Sequence, residues 1–241
     1  MKFIRNNIPN AITLLNLLCG CIALSLILLY VHTSPGLALD GSAAAAWFVA
    51  GAMVADFFDG LAARLLNSKS LIGRELDSLA DLVSFGVVPG IMLVILIPSE
   101  VFCWLGLLVP LCAAIRLAKF NTDERQSERF LGLPTPANAL FIISFPLILA
   151  HQAYWNNIYL LHPLRSTVFF SAISVACSAV MVVPIPLFSL KMKNISWKDN
   201  QVRYLFAIAA LLALVLLHFM ALPVIIVLYI VLSVADNILK R

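Results

Sequence analysis

The feature that most constrains this chain is a conflict around one stretch, DFFDGLAARLLNSKSLIGRELDSLAD from Asp56 to Asp81, which places four aspartates inside a chain that is otherwise largely apolar. The chain of 241 residues is 62% hydrophobic and only 12% charged, with apolar runs long enough to cross a bilayer. One aspartate at the centre of a lipid-facing helix costs roughly 2.5–3.5 kcal/mol, so four facing lipid would cost on the order of 10 kcal/mol. The acids must therefore face a cavity inside an all-α, polytopic membrane bundle.

With helices on both sides of a short polar connection, Asp56 and Asp59 lie i, i+3 on one face, and Asp77 and Asp81 lie i, i+4 on the next, antiparallel helix. Four acids then converge, and oxygen ligands around a divalent cation are the usual way to relieve their repulsion. Gly60 and Ala63 leave the wall beside them almost without side-chain bulk, and Arg64 offers a planar fork suited to phosphate. Gly73 falls in the connection from Asn67 to Arg74, where a positive φ or a tight turn is expected. Metal, phosphate and close backbone approach together point to phosphoryl transfer on a diphosphate. The plainer reading, acids near helix ends that simply face water, conflicts with the apolar flanks Ala52-Met53-Val54-Ala55 and Leu82-Val83.

The pattern D-x2-D-G-x2-A-R-x8-G-x3-D-x3-D, met at all eight fixed positions, resembles the signature of the CDP-alcohol phosphatidyltransferase family. Further segments resemble its branch of membrane-integral phosphatidylserine synthases: IPNAITLLNLLCG (8–20), DSLADLVSFGVVPG (77–90), RLAKFN (116–121), FLGLPTPANA (130–139) and VPIPLFSLK (183–191). Gly90 is a modest departure, where that branch more often carries Ala. The resemblance implies transfer of the phosphatidyl group from CDP-diacylglycerol to the hydroxyl of L-serine, giving phosphatidylserine and CMP. General chemistry also allows glycerol 3-phosphate or an inositol phosphate as acceptor. It implies one or two Mg²⁺ or Mn²⁺ ions on Asp56, Asp59 and Asp77 with Asp81 shared or nearby, and Asp81 as the base. It further implies nucleotide contacts from Gly60, Ala63, Arg64, Ser70 and Gly73, and a homodimer.

Eight spans are expected, over about Ile8–His32, Ala43–Leu66, Glu75–Ile97, Val101–Lys119, Pro136–Gln152, Ser166–Leu190, Tyr204–Met220 and Leu222–Leu239. They form a single catalytic domain over 1–241 with the last two helices, 204–239, peripheral. The apolar run after Lys2 and Arg5 is too long for a signal peptide and is expected to be retained. With the N-terminus in the cytoplasm, fifteen of sixteen Lys and Arg residues fall on that side and only Arg165 outside, which places both termini and the acids' mouth there. A prokaryotic cytoplasmic (inner) membrane is the expected location. The net charge of +4 serves this topology, since no basic stripe with interleaved aromatics suggests nucleic acid.

Asn10, Thr13 and Asn16 recur on one face of the first span. They serve either helix–helix hydrogen bonding or, as the resemblance favours, the nucleotide end of the cavity. Arg116, Lys119 and Asn121 close the fourth span. They are either snorkelling or polar residues at the lipid headgroups or grips for the acceptor's carboxylate or the donor's phosphate, with Arg116 best suited to a carboxylate and Asn121 beside it. The five cysteines have no metal spacing and read as packing residues, and the four histidines fall away from the acids. The Asn194-Ile195-Ser196 sequon falls on the cytoplasmic side. A metal-ion transporter is the competing class, opposed by the one-sided clustering of the acids and the lack of an inverted repeat.

Overall fold

The computed structural model describes residues 2–33, 38–68, 70–122, 130–151, 164, 166–187 and 196–239. The basic residues Lys69, Arg125, Arg129, Arg165, Lys191, Lys193, Lys240 and Arg241, the sequon's Asn194 and Ile195, and His162 lie outside the described residues.

Helix α1 spans Lys2–Thr33 and α2 spans Ala38–Leu65. A single helical rod follows: α3 over Leu71–Asp81, a π-helical segment over Leu82–Val87, and α4 over Val88–Leu96. A 3₁₀ turn, Phe102–Leu107, leads into α5, Leu108–Thr122. Helices α6 (Thr135–Ala150) and α7 (Thr167–Val182) are shorter, and α8 (Trp197–Leu217) and α9 (Ala221–Leu239) complete the chain. Five described stretches are long and apolar enough to cross a membrane: Asn7–Thr33, Ala38–Leu65, Leu71–Leu96, Phe102–Thr122 and Asn200–Ile238. The protein is an all-helical integral membrane protein.

The last of those stretches is a hairpin. His218 takes a left-handed φ of 46° and ends α8. The Phe206 and Tyr229 rings then meet across the two arms with centroids 5.7 Å apart. Helix α7 stops at Val182, short of the expected Leu190, because Pro184 and Pro186 remove backbone donors and disfavour helix before them. The chain there is extended, and Pro186–Leu187 pair antiparallel with Phe130–Leu131, a two-residue ladder that alternation did not predict. Gly132 beside this ladder has φ +77°, and a Cβ there would stand 2.6 Å from the Met181 carbonyl oxygen.

Small residues set the helix rotations. Ala45, Ala46, Val49 and Ala52 of α2 are fully buried in one cluster with Ala23 and Ile27 of α1 and with Phe85, Val88 and Met92 of the central rod. Helices in lipid have little hydrophobic drive to associate, so close backbone approach through small side chains carries the contact. A second cluster joins Leu93, Val109, Ala113, Ile142, Phe170 and Met181, seating α5, α6 and α7 around the same rod. Outward residues such as Leu18, Leu28, Trp47, Val168 and Leu211 are exposed, as a lipid-facing surface requires. All five cysteines are free, Cys177 buried and the others partly or fully exposed.

Candidate metal and phosphate site

The acids arise where α2 nears its end and α3 begins. Ser70 caps α3: with extended backbone (φ −124°, ψ 151°), its Oγ accepts a hydrogen bond from the Gly73 amide at 2.9 Å, one of the free donors of a first helical turn. The cap starts the helix four residues earlier than the expected Glu75. It also corrects the reading of Gly73, which is helical, while the positive φ in this connection belongs to Asn67 at 51°. Gly73 is small for another reason: a Cβ would stand 2.9 Å from both Asn10 Oδ1 and Ser70 Oγ. Asn10 of α1 and the Ser70 cap therefore lie close against this face of α3 and would have to shift to admit a side chain.

The convergence expected from spacing is present. Carboxylate oxygens of Asp56, Asp59 and Asp77 lie within 4.8 Å of one another, two acids from α2 and one from α3. Asp81, one turn further along α3, is buried and within electrostatic range of Asp56 and Asp77, outside the tight group of three. Among the described residues no cation is salt-bridged to these four; the bridge present, Arg74 to Glu75 at 3.5 Å, is exposed.

The N-terminal stripe of α1 meets the acids one by one. Thr13 Oγ1 donates to Asp59 Oδ2 at 2.7 Å, and Asn16 Nδ2 donates to Asp81 Oδ1 at 3.1 Å. Ser84 Oγ, in the π segment, donates to the Asn16 carbonyl at 3.1 Å. Thr13, Asn16 and Ser84 are all buried, so these bonds form where water does not compete. The stripe thus orients carboxylates, a role between the two considered for it. The π segment begins immediately after Asp81, and such distortions commonly re-aim a helix face at functional sites.

The donor set fits a hard divalent cation. Three carboxylates, no nitrogen and no sulfur suit Mg²⁺ or Mn²⁺, and Asp77 Oδ1 is buried without a hydrogen-bond partner among the described residues. An orphaned carboxylate oxygen aimed into an acid cluster is what a metal ligand looks like without its metal.

The remaining expected residues divide. Gly60 has open space, since a Cβ would meet only Arg64 Nη2 at 3.7 Å, and Arg64 Nε donates to the Gly60 carbonyl at 2.9 Å. Arg64 is exposed and Ala63 half-buried at this mouth. Arg116 is not a snorkelling cation: it is 8% exposed, its Nε lacks a partner among the described residues, and it lies within electrostatic range of Asp81. Asn121 Nδ2 donates to Ser78 Oγ at 2.9 Å, tying the end of α5 to α3. Asn138 of α6 lies in the FLGLPTPANA segment but was given no role of its own; it is fully buried, with neither side-chain atom partnered among the described residues. His32, His151 and His218 each stand at or just past a helix end, and the His151 ring lies tilted against Phe219 with centroids 4.7 Å apart.

The fold and the site define a polytopic helical membrane protein with a three-carboxylate cluster, of a kind suited to a divalent ion, beside a small-residue wall. The particular family follows from comparison. The profile of the CDP-alcohol phosphatidyltransferase family matches residues 6–183, and the chain belongs to that family. It is 39% identical over 155 residues to the CDP-diacylglycerol--serine O-phosphatidyltransferase of Bacillus subtilis, covering 60% of this chain and 81% of the relative. It is 30% identical over 217 residues to the protein of the same name from Mycobacterium bovis, covering 86% of this chain and 68% of the relative. The Saccharomyces cerevisiae protein of that name is 37% identical over 122 residues, 46% of this chain and 44% of the relative.

Proposed function

We propose that this enzyme transfers the phosphatidyl group of CDP-diacylglycerol to the hydroxyl of L-serine, giving phosphatidylserine and CMP. The observation that carries the reaction class is the grouping of Asp56, Asp59 and Asp77 within 4.8 Å, with Asp81 alongside. The choice of serine rests on the relatives, several of which carry that activity in their names.

Asp56, Asp59 and Asp77 would hold one or two Mg²⁺ or Mn²⁺ ions, with Asp81 shared or adjacent. The bound ion would supply charge neutralisation for the diphosphate and for departing CMP. Thr13 fixes the Asp59 carboxylate, and Asn16 occupies Asp81 Oδ1 and leaves its other oxygen for the acceptor. Asp81 takes the serine hydroxyl proton as the oxygen attacks the lipid-side phosphorus; a new P–O bond forms and the P–O bond to CMP breaks. Gly60, Ala63 and Arg64, with Asn10, Ser70 and Gly73 across the mouth, accommodate the nucleotide. Arg116 takes the serine carboxylate, and Asn121 steadies that side through Ser78.

The Lys and Arg distribution supports eight spans with both termini and the acid mouth on the cytoplasmic side of a prokaryotic inner membrane. Residues 1–241 form one catalytic domain with the α8–α9 hairpin peripheral, and a homodimer is the expected assembly. A metal-ion transporter is not favoured, since the acids gather at one end of the bundle and the chain belongs to a transferase family. Purified protein in detergent with CDP-diacylglycerol, Mn²⁺ and a panel of alcohols is expected to release CMP with L-serine. Asp81→Asn is expected to abolish release with the fold intact. Release only with glycerol 3-phosphate or an inositol phosphate would overturn the acceptor assignment, and full activity of Asp81→Asn would overturn the role of Asp81.

A further inference from the structure

Asn138 is the polar side chain that the catalytic reading leaves unused. It is fully buried in an apolar bundle, and neither its Oδ1 nor its Nδ2 has a partner among the described residues. An amide in that condition has lost its water and gained nothing, which favours replacement by an apolar residue unless a ligand completes it. Arg116, also more than nine-tenths buried, has an unpartnered Nε.

The fold brings these groups to one level. Helix α5 runs toward the acid end, where Asn121 reaches Ser78, while α6 starts at that end and runs away. Both flank the π segment: a Cβ on Gly86 would stand 3.1 Å from Ala113 of α5, and Ala139 of α6 is buried with Phe85 and Val88. Ala113 and Ile142 share one buried cluster, against which Leu82 also packs. One turn from Ala113 toward the acids is Arg116, and one turn from Ile142 in the same direction is Asn138. Leu82 is the residue after Asp81. Arg116, within electrostatic range of Asp81, and Asn138 therefore stand on the two helices that flank the π segment, each about one turn from it toward the level of Asp81.

Resting on the proposed function above, we infer that Asn138 is a specificity residue of the acceptor subsite, contacting the amino-acid end of L-serine while its hydroxyl meets Asp81. Arg116 takes the carboxylate; the Asn138 carboxamide donates its N–H to the same carboxylate or accepts from the α-ammonium through Oδ1. The amino end of α6 at Thr135, one turn before Asn138, adds positive potential that favours a carboxylate. An acceptor lacking either charged group leaves part of this set unpaired, which is how buried polar sites discriminate.

The test is steady-state CMP release by wild type, Asn138→Leu and Asn138→Ser in detergent with Mn²⁺, varying L-serine and CDP-diacylglycerol separately, together with thermal unfolding of each protein. Asn138→Leu is expected to raise the KM for serine tenfold or more, leave the KM for CDP-diacylglycerol within twofold, and not lower Tm. Asn138→Ser supplies the same comparison if the leucine variant does not fold. In wild type, ethanolamine, which lacks the carboxylate, and 3-hydroxypropionate, which lacks the ammonium, are each expected to serve at least tenfold less well than serine. A serine KM within twofold of wild type in the folded variant, or an equal rise in both KM values, would remove Asn138 from the acceptor site while leaving the proposed reaction standing. No CMP release by wild type with serine would remove both.

Discussion

Replacing Thr13 by valine isolates the link between α1 and the metal cluster. The change is close to isosteric and the site is only 3% exposed, so the lost hydroxyl dominates its effect. Thr13 Oγ1 stands 3.0 Å from the Pro9 carbonyl and 2.7 Å from Asp59 Oδ2, and its single proton serves these two acceptors. Pro9 O can still accept the helical bond from the residue-13 amide, so the uncompensated loss falls on Asp59. A hydrogen bond to a charged group is worth about 1.5–3 kcal/mol, and loss of a partner that orients a metal ligand typically costs 10–100-fold in affinity. Thr13→Val is therefore expected to raise the Mn²⁺ concentration for half-maximal CMP release roughly 10–100-fold at saturating CDP-diacylglycerol, with Thr13→Ser near wild type. Manganese titration with electron paramagnetic resonance of the free ion checks binding apart from turnover. An unchanged Mn²⁺ requirement in a folded Thr13→Val protein would refute the claim that this contact prepares Asp59 for metal.

Chelation of divalent ions with EDTA is expected to abolish CMP release, with Mn²⁺ or Mg²⁺ restoring it; release that persists in excess chelator would contradict metal binding at the acids. Ser70→Ala removes the α3 cap and is expected to cost about 1 kcal/mol in thermal unfolding, with any larger effect on the KM for CDP-diacylglycerol assigning Ser70 a substrate contact as well. Gly73→Ala puts a Cβ 2.9 Å from the side-chain oxygens of Asn10 and Ser70, so that the Ser70 cap must shift, and is expected to destabilise by about 1 kcal/mol; a neutral Tm would show that the two side chains move aside without cost. Gly132→Val puts a branched side chain at φ +77° against the Met181 carbonyl and is expected to lower Tm more than Gly73→Ala does, measured in the same detergent.

The acid set was legible in the sequence because its logic is local. Spacings of three and four residues put Asp56 with Asp59 and Asp77 with Asp81 on single helix faces in any helical fold, and the cost of charge in lipid required those faces to meet. The apolar runs bounded Phe102–Thr122, α6 and α9 to within about three residues at both ends, whereas α1, α2 and α8 each begin well before their expected starts. Local rules failed where a neighbour decided, as at Gly73, which packs against Asn10, 63 residues away in sequence; the early end of α7, by contrast, was legible in Pro184 and Pro186.

What tertiary structure alone decided is which polar group serves which acid. Thr13 reaches Asp59 across 46 residues and Asn16 reaches Asp81 across 65. Those pairings depend on how α1 is rotated and shifted against α2 and α3, and buried alanines, glycines and a π-helical turn set that register through contacts that no periodicity encodes. The same holds for Arg116 and Asn138, whose sequence neighbourhoods allow a lipid-facing cation and a helix-start amide, and which only the packing of α5 and α6 around the central rod brings to the level of Asp81.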